Sequence, residues 1–124
     1  MFQNIISIAA VSFMFATPVT AEIVLMGPEI KELFSGATLK ARARKGRTYT
    51  VKYTADGAAK FQMDDYSFSD KGRWSVDGDA SCSQWEEIRD GTQGCWSVIH
   101  RGDDDYLFLP RDGGREVKAT VTKN

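Results

Sequence analysis

The sequence predicts an all-β fold, a small antiparallel up-and-down barrel or strongly curved sheet of about eight short strands with one short N-terminal helix and one disulfide. Three observations predict it. Apolar residues recur at every second position in segment after segment from Leu39 onward, which is the period of a strand with one buried face. Glycine and aspartate clusters punctuate those segments at short, regular intervals, the chemistry of tight hairpins. The connections are nearly all too short for a crossover, so a meander is favoured over a Greek key.

The chain opens with an apolar run from Ile5 to Ala16, then Pro18, and carries no charged side chain before Glu22. Val19 and Ala21 occupy the −3 and −1 positions of a small-residue cleavage rule, so 1–21 reads as a signal peptide and 22–124 as a single β-barrel-like domain. Later segments offer no apolar stretch long enough to act as a membrane anchor. The expected location is periplasmic or secreted.

The domain begins with "GPEIKELFSG" (27–36). Pro28 suits a first helical position, Ile30, Leu33 and Phe34 share one helical face, and Gly36 is a stop. Strands follow. "TLKARARK" (38–45) sets Leu39, Ala41 and Ala43 against Lys40, Arg42 and Arg44, and "TYTVKYT" and "AKFQM" alternate in the same way. Turn signals stand around Asp70 to Gly72 and at Asp77-Gly78, flanking a strand through Trp74 and Val76. "ASCSQW" and "CWSVIHR" border a loop at 86–94, and "YLFLP" and "REVKATVT" close the chain.

The only two cysteines, Cys82 and Cys95, are too far apart for a CxxC redox motif, and the single histidine, His100, leaves a structural zinc short of ligands. In an exported chain the remaining reading is a disulfide, whose loop closure contributes about 3 kcal/mol in the chain-entropy model.

Formal net charge is −1, yet its distribution is uneven. Basic residues dominate from Lys40 to Lys60 and acidic ones from Asp64 to Asp112. Lys40, Arg42 and Arg44 project from one face of a regular strand and form a candidate surface for an anionic partner, or else protect a strand edge from pairing. Export and the lack of interleaved aromatics on that face argue against nucleic acid. "GDDDY" (102–106) lacks the alternating ligand spacing of a calcium loop and reads as a hairpin tip.

Alternation places Trp96, Val98 and His100 on one face and Cys95, Ser97 and Ile99 on the other. Trp74, Trp96, His100 and Tyr106 are the candidate pocket residues, because a barrel of about eight strands sits near the size where the lumen is either filled or holds one small ligand. No Walker loop, GxSxG, HExxH or dinucleotide fingerprint is present. Neither metal nor cofactor is expected.

The segments "LFSGATL", "YTADGAAKF", "GRWSVDGDASC" and "GCWSVIHRGDDDYLF" together resemble a family of small exported proteobacterial β-rich domains of unknown function. The resemblance spans nearly the whole mature chain and implies a fold; it assigns no activity to any residue. "GRW" (72–74) is also similar to the GxW signature of lipocalins, although there it belongs to the first strand, so that likeness is architectural.

The function these features favour is a non-enzymatic binding domain for a small apolar or amphipathic ligand, or for an envelope protein or polysaccharide. An enzyme inhibitor or interaction module is the alternative, and an envelope enzyme without a recognisable motif a further one. A carrier requires an apolar cavity, an inhibitor a rigid exposed loop such as 86–94, and an enzyme converging polar side chains.

Overall fold

The computed structural model describes residues 22–124. The expected signal peptide at 1–21 lies outside the described residues. The alternating segments form β2 (Ala37–Arg42), β3 (Thr48–Tyr53), β4 (Ala58–Met63), β5 (Ser69–Asp77), β6 (Ala80–Trp85), β7 (Gly94–Gly102), β8 (Asp105–Pro110) and β9 (Val117–Lys123). Each is antiparallel to the next, and β9 pairs with β2 as well as β8. Eight strands thus close into an up-and-down barrel. A two-residue strand, β1 (Ile23–Val24), pairs with the second half of β7, Ile23 opposite His100 and Val24 opposite Ile99. The first half of β7 pairs with β6.

Register decides which side chains enter the lumen. Leu39 lies opposite both Val51 and Val121, Val51 opposite Phe61, and Val98 opposite Phe108. These residues face inward, while Lys40, Lys52 and Lys60 on the intervening positions are exposed. Cys82 and Cys95 are direct partners across β6 and β7 and are joined by a disulfide on the outer face. This bond belongs to an oxidising compartment. No described helix is long and apolar enough to cross a membrane.

The helix α1 (Gly27–Phe34) spans one end of the barrel, packing on β5 and β6 at one side and on β2 and β9 at the other. Its Ile30 and Phe34 are fully buried. Both termini are held by charges from the barrel. The Gly27 N–H donates to Asp79 Oδ1 at 2.8 Å, and Lys123 Nζ donates to the Ser35 carbonyl at 2.7 Å and to that of Glu32. A carboxylate at the N-terminus and an ammonium at the C-terminus both complement the helix dipole. Gly27 lies so close to the Gly78 carbonyl that a Cβ there would collide with it.

Phe34 points down the barrel axis into an aromatic cluster. Its ring meets Tyr53 edge-on at 4.8 Å and lies 5.9 Å from Trp74 and 6.0 Å from Phe108. Trp74 directs its Nε1–H to the Thr54 carbonyl at 2.8 Å, so its one polar atom is satisfied as the ring is buried.

Two local expectations are corrected. Asp70 to Gly72 do not form a turn; they lie inside β5, and the chain reverses at 64–68 instead. Gly72 is needed because the Trp85 ring occupies the space of a side chain there, with Cε3 2.7 Å from the position of a Cβ. The strand expected through 45 ends at Arg42. Beyond it Arg44–Gly46 form a 3-10 turn with Lys45 at φ 65°, closed by the Ala43 N–H donating to the Arg47 carbonyl at 2.6 Å.

Replacing Phe34 by Ala removes the ring that seals this end. The expected loss is about 3–5 kcal/mol of unfolding free energy, read by urea denaturation; a loss under about 1 kcal/mol would show that the end is sealed without it.

Candidate functional site

Above the aromatic floor the lumen is not filled. A cavity of about 160 Å³ runs from Phe34 to a mouth beside Ile88 and Arg89, with Leu39, Tyr49, Val51, Phe61, Trp85, Trp96 and Phe108 among its walls. The space arises on β6. Its inward residues are Ser81, Ser83 and Trp85, and the two serines leave volume that leucine or valine would occupy.

The cavity wall is mostly apolar with a few hydroxyls. Ser81, Ser83 and Tyr53 are each more than nine-tenths buried. All three residues line the cavity, where a guest can reach them. Burial pushes the phenol pKa of Tyr49 up, and that of Tyr53 further, with the neighbouring Tyr49 adding to the rise. Both phenols are therefore neutral donors at physiological pH.

The mouth is built by the loop between β6 and β7. Asp70, on β5 and only 7% exposed, accepts the N–H groups of Glu87 at 3.0 Å and Ile88 at 2.9 Å through Oδ2, and that of Lys71 at 2.8 Å through Oδ1. Burial opposes its charge, but these backbone donors outweigh burial and hold the carboxyl below its ordinary value. The Gln84 side chain adds a bond to the Gly91 carbonyl at 2.9 Å. Within the 3-10 turn Ile88–Gly91, Arg89 and Asp90 both adopt positive φ, 58° and 54°. That conformation costs non-glycine residues about 1 kcal/mol or more each, and the tethers must offset it.

Ile88 thereby covers one side of the mouth. Arg89 lays its guanidinium over the Trp96 ring, 4.8 Å from the centroid, a cation–π contact. Gly94 makes this possible, because a Cβ at that position would overlap the guanidinium.

The sequence-predicted residues are dispersed. Trp96 lines the cavity, whereas Trp74 lies below it in the aromatic floor. His100 and Tyr106 face each other across the β7–β8 hairpin, stacked at 4.7 Å, and His100 Nε2–H donates to the Asp103 carbonyl at 2.7 Å. They do not meet Trp96 in the lumen. Lys40 and Arg42 lie beside Arg101, Lys118, Asp64 and Asp105 around a groove of about 500 Å³, which Tyr106 also lines. Arg44, in the turn beyond β2, does not join them.

Asp70, Ser81, Ser83, Ile88 and Arg89 carry no motif. The one sequence trace of the serines is polar residues at the inward parity of β6, opposite Trp74 and Trp96.

Comparison with protein-family profiles, curated proteins and solved structures gives no match for the chain.

Because the folded pKa of Asp70 is lowered, its tether contributes fully above the ordinary carboxylate pKa and is lost as pH falls through the lower folded value. Asp70→Asn is expected to accelerate hydrogen exchange at the Glu87 and Ile88 amides near neutral pH and to erase the acid-induced change in tryptophan emission from Trp85 and Trp96. Unchanged exchange at those two amides would show that the loop is held by other means.

Proposed function

We propose that this chain is a non-enzymatic binding domain of the periplasm or extracellular space, whose barrel lumen takes one small, largely apolar molecule with a hydrogen-bonding end. The observation that carries this reading is the unfilled, mostly apolar cavity whose wall includes Ser81, Ser83 and Tyr53. A filled core would be cheaper for folding, since empty volume costs stability.

Size narrows the ligand. A cavity of about 160 Å³ is comparable with an engineered apolar cavity of about 150 Å³ that accepts benzene, and it lies below the 300 Å³ or more typical of drug-sized sites. One aromatic ring or a short alkyl chain matches it; a fused polycycle or long acyl chain does not. Ser81, Ser83 and Tyr53 supply donors and acceptors for a hydroxyl or carbonyl on that ligand, and the mouth at Ile88 and Arg89 is where it would enter. The tether of the 86–93 loop onto the lumen favours this reading over an inhibitor loop that projects into a partner.

Titration calorimetry with single-ring phenols and short alcohols tests the proposal. Phenol-sized ligands are expected to bind and to quench Trp96, naphthol-sized ones to fail, and Ser83→Leu to abolish binding while folding is retained. Failure of every compound in the series, with folded protein, would overturn the lumen reading.

A further inference from the structure

The outer wall of β3, β4 and β5 carries a second feature, separate from the lumen. Register sets Lys52 directly opposite Lys60, and Lys60 directly opposite Lys71. All three are exposed, and among the described residues none forms an ion pair. Like charges at directly opposite positions destabilise a sheet. The arrangement therefore carries a folding cost that a bound anion would relieve.

The neighbouring row is of different character. Two residues away along each strand, Thr50, Gln62 and Ser69 lie side by side in the same register. The Gln62 amide nitrogen is bonded to the Met63 and Phe68 carbonyls, which fixes the side chain and leaves its carbonyl oxygen available as an acceptor. At the end of these rows stands Tyr66, in the β4–β5 turn at φ 61° and 83% exposed. The two rows, Phe61 and Tyr66 surround a groove of about 490 Å³ that also holds two carboxylates, the buried Asp70, occupied by backbone N–H groups, and the exposed Asp64, bonded to the Thr50 hydroxyl at 2.8 Å.

We propose that this groove binds an acidic polysaccharide, with its carboxylate or sulfate groups on the Lys52–Lys60–Lys71 row, its hydroxyls on Gln62 and Ser69, and a sugar face on Tyr66. Strands are about 4.8 Å apart, so the row offers regularly spaced cations across roughly 10 Å. The row runs across the strands and hence around the barrel's circumference. A flat bilayer touches such a curved wall along one line and meets the three ammonium groups unequally, whereas a polymer chain follows the curve. Adjacent neutral hydrogen-bonding groups and an exposed aromatic suit sugar hydroxyls and the apolar face of a pyranose ring, which an acidic peptide does not present. The partner differs from the lumen ligand and meets the outer wall, although Phe61 borders both spaces.

The test uses the folded wild-type protein with an oligogalacturonate probe at low ionic strength, followed by calorimetry and by thermal unfolding. Binding is expected, together with a rise in Tm, and both should weaken with added salt as exposed charges are screened. Lys60→Ala is expected to reduce affinity at least tenfold while the free protein is no less stable than wild type; Lys31→Ala, on the helix and outside the groove lining, removes equal charge and should leave affinity unchanged. Ser83→Leu should also leave it unchanged, which separates this site from the lumen. Equal binding by wild type and Lys60→Ala would overturn the proposal, as would binding to anionic lipid vesicles or poly-glutamate in the absence of oligogalacturonate binding.

Discussion

Pairing of β9 with β2 is the constraint on which the other features depend. It removes the sheet's free edges, and it commits every strand to one inward and one outward parity. At the helix end Phe34 and the inward residues Tyr53, Trp74 and Phe108 pack ring against ring. Beside these rings β6 offers Ser81 and Ser83 to the same enclosed space, Ser83 directly opposite Trp74. A cavity follows from the mismatch between the fixed diameter of a closed barrel and two small side chains.

Each end of the barrel is managed by a charged group acting on backbone. At one end Asp79 and Lys123 hold the helix termini; at the other Asp70 holds the loop. The groups differ in exposure, and the difference matters. Asp70 is nearly sealed from water and binds N–H groups that would otherwise be unsatisfied, so it specifies one loop position more sharply than a surface ion pair such as Arg47 with Asp65 can.

Much of this fold was legible in the sequence because period-two alternation is a direct imprint of a two-faced strand. The parity of β7 is an example, since Trp96 and Val98 do face the barrel interior and Cys95 and Ile99 do not. Asp70 and Gly72 were misleading for a physical reason. Residue types that favour turns also serve a buried anchor and a close ring contact, and a linear pattern does not separate these uses. The cavity was illegible because it depends on what faces Ser81 and Ser83 across the lumen. The lysine row was hidden likewise, because Lys52, Lys60 and Lys71 become neighbours only through register, which turn lengths and strand slippage set jointly.

The seam between β2 and β9 also has a temporal meaning. Ala37 lies opposite Lys123, the Thr38 hydroxyl donates to the Asn124 side chain at 2.7 Å, and the helix carbonyls wait for the Lys123 ammonium. The ribosome delivers the first of these partners long before the last. A nascent chain that has emerged only as far as β8 holds an open sheet in which β2 pairs with β3 alone, and a helix lacking its C-terminal cation. Closure therefore waits for β9, the last of the eight barrel strands to leave the ribosome.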